Sequence, residues 1–369
     1  MSLRIKMFRL IQRYLQMNQK NDVLIRFKNI SKKFNDFYAV KDLNLDIIEG
    51  EILGFLGPNG AGKSTTMKML ARLLHPNLGE IWIRDNGNLK KLNSKTKDYL
   101  LDNIGFLIEN PMFYDSRTPR QILSYFSKLK GYPKKLVRKQ VEKVVEMVGL
   151  SEWIDKKFKT FSKGMRQKIG VISAIVHDPE IVVLDEPFTG LDPKSRKEIR
   201  DFIFNLKNMG KTLFISSHLL YEISEIADRV AMISYGKIIA CDTIDNLEAV
   251  AMKSIIHLEL FKPGENIQEN IKKIDEIISP LTGLNNISNY IKYNKDSKYF
   301  EILFNGNPKN QRDILKALVS NQEIEVSEFS VPKSNLLESL YLDLVEQSDE
   351  DRISNHNLKQ NRGAVKVQT

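Results

Sequence analysis

Between residues 23 and 247, short β-branched and aliphatic runs alternate with helical patterns, which predicts strands wound with helices into a largely parallel sheet. Ile52-Leu53-Gly54-Phe55-Leu56 and Ile181-Val182-Val183-Leu184 carry no polar residue, so both read as buried strands. Trp82 alternates with Ile81 and Ile83, and its expected role is packing in a strand. From 118 to 150 the period changes. There Ile122, Leu123, Tyr125, Phe126 and Leu129, then Val141, Val144, Val145 and Val148, recur at helical spacing. That block reads as a helical subdomain inserted at about residues 110–165.

Past Lys253 the pattern predicts a strand over 255–261, a helix over 267–281, a hairpin from 287–293 and 299–304, a helix over 311–319 and a strand over 324–329. This order, β-α-β-β-α-β, is the split-βαβ plan. A closing helix is expected over 335–345, after Pro332. The expected organisation is therefore an α/β domain over 23–247, with an antiparallel β subdomain and the helical insert, then a small α+β ferredoxin-like domain over 254–346. Residues 347–369 are polar and aperiodic, as expected of a disordered tail. No internal repeat is present.

A chain of 369 residues accommodates two such domains, since one domain takes about 100–200 residues. Its 42% hydrophobic and 28% charged composition is that of a globular protein and excludes disorder throughout. The lone cysteine, Cys241, can form no internal disulfide, so a reducing compartment is the default. No stretch reaches the roughly 18 consecutive apolar residues of a membrane span. Work at a membrane would then need a partner.

The net charge is +10, and Arg4, Lys6, Arg9, Arg13 and Lys20 fall within the first twenty residues, which contain no acid. With Leu3, Ile5, Met7, Leu10, Ile11, Tyr14 and Leu15 between them, residues 1–22 form a basic arm of amphipathic pattern that could lie on an anionic membrane, or a frayed start to the domain. The arm lacks the apolar core and cleavage site of a secretory signal. Lys134, Lys135, Arg138 and Lys139 read as a solvated helix face. Aromatic and basic residues do not interleave as single-strand binding requires, so nucleic acid is not expected as a partner.

The buried run 52–56 feeds directly into Gly57-Pro58-Asn59-Gly60-Ala61-Gly62-Lys63-Ser64-Thr65, the G-x-x-x-x-G-K-S/T phosphate loop. Glycines let successive backbone N–H groups turn toward a β-phosphate, and the helix that begins at Thr65 adds positive potential. Lys63 is expected to bridge the β- and γ-phosphates of ATP and Ser64 to ligate Mg²⁺. The second buried run ends in Asp185-Glu186, where Asp185 can hold Mg²⁺ through water and Glu186 can orient and deprotonate an attacking water.

Three further segments follow in order: Phe161-Ser162-Lys163-Gly164-Met165-Arg166-Gln167, Gly190-Leu191-Asp192-Pro193 and Ser216-Ser217-His218. Together with the phosphate loop and Asp185-Glu186, they resemble the ABC ATPase family in its signature, D-loop and switch histidine, over about 23–247. The resemblance implies an ATPase of the P-loop ABC cassette fold. In that family two ATPase subunits, most simply two copies of one chain, face each other head to tail around two Mg·ATP. Ser162 and the N–H of Gly164, at a helix start suited to anions, would then bind the partner's nucleotide. Asp192 would serve the same interface, His218 would sense the γ-phosphate, and Phe34, before Asn35-Asp36, matches the aromatic on which adenine stacks.

Departures from the family pattern narrow the class. Glu109, in Ile108-Glu109-Asn110-Pro111-Met112-Phe113-Tyr114, stands where relatives carry glutamine; it can ligate Mg²⁺ but, when ionised, donates no hydrogen bond. Lys163 replaces a signature glycine and Met165 a glutamine. These stretches resemble the subfamily that exports bacitracin, lantibiotics and similar peptides or drugs, as does the segment 334–341. The implied arrangement is a cytoplasmic ATPase, peripheral on the inner face of the membrane and docked on a separate permease near Glu109 and the helical block. The rival is a soluble ABC ATPase of translation or DNA repair. One phosphate loop and no heptad run weigh against it. His75, His177 and His257 have no ligand set at metal spacing and read as packing or surface residues.

Overall fold

A computed structural model describes residues 23–93, 99–109, 112–252, 255–261, 267–282, 291–294, 298–304, 308–321, 323–331 and 341. They belong to two units divided at residue 244. The basic arm, the tail and, Tyr341 apart, the expected closing helix lie outside the described residues.

The larger unit is built on two sheets. β1 (Val23–Phe34), β2 (Phe37–Ile48), β4 (Leu78–Asp85) and β5 (Asn88–Lys91) form an antiparallel sheet in the order β2-β1-β4-β5. β3 (Ile52–Leu56), β6 (Ile104–Leu107), β7 (Ile181–Leu184), β8 (Thr212–Ser217), β9 (Arg229–Ser234) and β10 (Lys237–Thr243) form the second, ordered β10-β9-β3-β8-β7-β6. All its neighbours are parallel except β10 on β9. β3, β7 and β8 are buried along their whole lengths, the environment that the unbroken apolar runs of β3 and β7 demand. The ring of Phe214 joins the sheets, lying 6.3 Å from Phe27 of β1 and 5.3 Å from Phe55 of β3. Each fully buried ring contributes about 1.5–3 kcal/mol over an exposed one.

Helices α1 (Lys63–Leu70) and α2 (Tyr99–Asp102) belong to this framework. The helical insert follows, with α3 (Pro119–Leu129) and α4 (Val137–Met147). Thr118 caps α3 through a reciprocal box with Gln121, and Pro119 stands at its first position, so the chain is fixed where it enters the insert. Arg120 then clamps the insert, donating to both oxygens of Asp155 and to Glu142 of α4. Phe113, Phe126, Phe158 and Phe161 form its aromatic floor. Helices α5 (Lys163–Ile175), α6 (Pro193–Asn208) and α7 (Leu220–Ser224) complete the framework, and α8 (Ile244–Met252) leaves it.

The second unit contains β11 (Ile255–Leu260), α9 (Ile267–Thr282), β12 (Ile291–Asn294), β13 (Tyr299–Leu303), α10 (Pro308–Ser320) and β14 (Val326–Ser330). Its antiparallel sheet runs β12-β13-β11-β14. That is the split-βαβ order, and Ile256, Leu258, Phe300 and Ile302 pack with Ile274, Ile278, Ile314 and Leu318 in one core. α10 begins three residues before the expected 311, because Pro308 is pre-set for a first helical turn. β14 starts at Val326 rather than 324; Ile324 is buried ahead of the ladder.

Candidate nucleotide-hydrolysis site

β3 delivers the loop 57–65 to the start of α1. Gly62, the N-cap, holds φ 109°, and a Cβ there would overlap the carbonyl of Ala39, so only glycine fits. Among the described residues, the N–H groups of Gly60, Gly62, Lys63, Ser64 and Thr65 donate to no intramolecular acceptor, whereas Ala61 donates to Pro58 O at 3.2 Å. A row of free donors at a helix start is an anion cradle. Lys63 is buried, and its ammonium donates to Gly57 O at 2.6 Å and Pro58 O at 3.2 Å.

The same ammonium lies 3.2 Å from Glu186 Oε1. Glu186 Oε2 accepts from His218 Nδ1 at 2.7 Å and from Thr189 Oγ1 at 3.0 Å. Because an ionised carboxylate only accepts, Nδ1 of His218 carries the proton. Burial opposes ionisation of Glu186, but the bond from His218 and the charge of Lys63 outweigh it and hold the carboxyl below its usual range. Oε1 is buried and accepts no aligned hydrogen bond. Glu186 also sits at φ 48°, a left-handed backbone rarely held outside functional turns.

Ser216 links the two acids: its hydroxyl donates to Asp185 Oδ1 at 2.5 Å and accepts the N–H of Glu186 at 2.9 Å. The C-terminal ends of β3, β7 and β8 thus bring Lys63, Asp185, Glu186 and His218 together. Ser216 and Thr189 are supports that sequence reasoning missed. Ser216 stood in a quoted motif without a role, and Thr189 carried no signal.

A second group forms around the starts of α5 and α6. Ser162 caps α5 by accepting the N–H of Met165 at 3.3 Å, and Asp192 caps α6 by accepting the N–H of Ser195 at 3.0 Å. Gly164 is buried, and a Cβ there would lie 2.5 Å from Ser195 Oγ, so the two helix starts pack on each other. Gln167, also buried, donates to Pro187 O at 3.1 Å and ties α5 to the residue after Glu186. The Lys163 ammonium lies over Gly190. No described hydrogen bond or ion pair joins Ser162, Gly164 or Asp192 to the first group.

Phe34 stands exposed at the end of β1, with the Lys32 ammonium 5.1 Å from its ring centre. Glu109 is exposed at φ 67° and pairs with Lys68 of α1. Mg²⁺ takes one or two protein oxygens and completes its shell from water and phosphate. The Ser64 hydroxyl and Asp185 carboxylate are oxygen donors of that kind, and the free N–H row fits the phosphates.

A model of the ABC transporter family matches residues 40–189. The chain is 35% identical to the ABC transporter ATP-binding protein YhcH of Bacillus subtilis, over 66% of this chain and 77% of that one. It is 40% identical to the bacitracin transport ATP-binding protein BcrA of Enterococcus faecalis, over 59% and 68%. Among solved structures it resembles the dimeric ATP-binding cassette MJ0796 bound to ADP and Pi, with a TM-score of 0.54 and 25% identity over 60% of this chain and 99% of that one. No described helix is long and apolar enough to cross a membrane. On this likeness the chain belongs to the ATP-binding proteins of ABC transporters and is an ATPase coupled to transport.

Proposed function

We propose that two copies of this chain close head to tail around two Mg·ATP and that hydrolysis reopens them, driving a separate permease that exports a peptide antibiotic, drug or similar amphiphile. The observation that carries the chemistry is the placing of Glu186 between Lys63 and His218. Residues 57–65 hold the phosphates, Lys63 bridging β and γ; Ser64 and Asp185 hold Mg²⁺, which supplies charge neutralisation when bound. A triphosphate is a stronger acceptor than two carbonyls, so its arrival draws Lys63 away from Glu186. The released carboxylate, its Oε1 freed from the Lys63 ammonium, orients and deprotonates the attacking water, and His218 moves to the γ-phosphate.

Phe34 stacks the adenine. Ser162 and Gly164, with Asp192 beside them, meet the nucleotide of the partner copy. Support for this half comes from their separation from the Lys63 group and from a relative solved as a dimer. Export of an antibiotic-like cargo is supported by the likeness to a bacitracin transport protein. The permease docks near Glu109 and the helical insert, where Met112 is 96% and Tyr114 81% exposed. That contact would hold the ATPase peripherally at the cytoplasmic face of the membrane.

Sedimentation of Glu186→Gln with Mg·ATP tests the dimer. The expected result is an ATP-dependent dimer that Ser162→Ala weakens, whereas a monomer at saturating ATP would overturn the reading. Cargo is tested by bacitracin survival of a sensitive bacterium carrying the chain and its permease. Protection lost with Lys63→Ala supports export, and survival no better than in the empty host refutes this cargo.

A further inference from the structure

The corner between α3 and α4 has a surface chemistry that ATP hydrolysis does not use. From Lys128 to Lys143 the sequence holds seven basic residues and one acid, Glu142. That acid is already engaged, since Arg120 donates to it at 2.8 Å and Arg138 at 3.2 Å, and these bonds hold its carboxyl below the usual range. Lys130 faces Asp102 at 3.9 Å. Lys128, Lys134, Lys135, Lys139 and Lys143 form no ion pair among the described residues, and all five are exposed.

Apolar side chains stand among these cations. Leu129, at the end of α3, is 65% exposed, and Leu136, in the turn closed by its N–H to Pro133 O, is 49% exposed. Tyr125, one helical turn before Leu129, is 62% exposed. A purely solvated helix face has no use for large apolar groups at its tip, and a protein-binding groove has little use for five unpaired ammonium groups. Lysines that reach headgroup phosphates around leucine and tyrosine side chains resting at the acyl boundary suit an anionic bilayer surface.

We infer that the α3–α4 corner is a contact surface for anionic phospholipid headgroups, so that the ATPase touches the membrane directly beside its permease. The patch is continuous with the proposed permease contact. Phe113, between exposed Met112 and Tyr114, lies 6.2 Å from Phe126, which in turn packs against Tyr125 at 5.6 Å. Its position near a membrane rests on the transporter reading; its chemistry does not.

The test is flotation of the purified full-length chain with vesicles of phosphatidylcholine alone or with about one-third phosphatidylglycerol, with ATPase activity measured on the same samples. Binding is expected only to the anionic vesicles and to fall in high salt. Each lysine near such a surface is worth about fivefold in partitioning, so Lys128→Ser, Lys134→Ser, Lys135→Ser and Lys139→Ser combined should lower it at least tenfold with ATPase unchanged. Leu129→Ser with Leu136→Ser should lower it severalfold. A matched variant of the arm, with Arg4, Lys6, Arg9 and Arg13 changed to serine, separates the two basic regions. The inference is overturned if wild type ignores anionic vesicles, if the four-lysine variant binds as well as wild type, or if the arm variant alone abolishes binding. Loss of ATPase in the wild-type sample would instead refute the catalytic reading.

Discussion

Nδ1 of His218 lies 2.7 Å from Oε2 of Glu186, and the opposite oxygen of that carboxylate faces the Lys63 ammonium at 3.2 Å. One acid from the end of β7 therefore holds both the residue proposed to grip the phosphates and the residue proposed to sense the last of them. Whatever displaces Lys63 also changes the charge felt by Glu186 and His218. On the proposed reading, binding and chemistry are coupled through a single side chain.

Glu186→Gln should abolish turnover while leaving ATP affinity equal to or greater than that of wild type. The amide keeps the size of the side chain but does not act as a base, and without a charge it competes less for Lys63. Loss of a general base costs about 10²–10⁴-fold in rate. His218→Ala should also lower turnover with binding retained, and the double variant should be no slower than Glu186→Gln alone, because the pair acts as a unit. Turnover within a few-fold of wild type in Glu186→Gln would show that the base lies elsewhere.

Lys63→Ala should weaken ATP binding at least tenfold in a titration by calorimetry. The buried ammonium is held by two carbonyls and a carboxylate, and its removal takes one partner from each of those acceptors while depriving the phosphates of their cation. Unchanged affinity would reduce the loop to a structural turn.

Much of this site was legible from the chain alone, because its motifs sit where the chain must turn. The loop 57–65 follows a strand with no polar residue, Asp185-Glu186 ends another, and Ser162 and Asp192 are helix caps that residue type and position predict. The cross-connections were not legible. Ser216 and the reach of Gln167 to Pro187 depend on which segments lie side by side, and nothing local encodes that; Thr189 is only three residues past Glu186, but its contact depends on how the chain turns after β7. Glu109 shows the same limit: as a sequence position it marks a departure from a family pattern, and only the fold sets it against Lys68. The lysines of the α3–α4 corner read as an ordinary solvated face in the sequence, and only the fold sets Arg120 against their one acid.

Arg229 and Glu51 form a buried pair at the base of the parallel sheet, one guanidinium nitrogen reaching both carboxylate oxygens at 2.9 and 3.0 Å. Burial pushes the Glu51 carboxyl upward and Arg229 opposes the shift. Arg229→Met should destabilise the fold by about 3–5 kcal/mol, since it strands a buried acid. Arg229→Met with Glu51→Leu should recover most of that loss in chemical denaturation. A double variant as unstable as the single would mean that packing, not the stranded charge, sets the cost.

His177 makes the acid limb of stability testable. Burial pulls its imidazole down to about 4, and the nearby Lys130 charge acts in the same direction. A backbone contact with Ile104 opposes the shift, but among the described residues no well-aligned hydrogen bond engages either ring nitrogen. The folded state therefore keeps His177 neutral while the unfolded chain takes up a proton near 6.5, so the unfolded state binds more protons across that interval. Stability linked to this group is whole above about pH 6.5 and is lost as pH falls toward 4, a change of about 1–2 kcal/mol after discounting for solvent at the ring edge. Replacing the ring by one that cannot titrate, in His177→Phe, should flatten the denaturation midpoint over that window while leaving the pH 8 value within about 1 kcal/mol of wild type. Midpoint curves that run parallel from pH 7 to 4 would show that His177 is protonated in the folded protein or lies in contact with water.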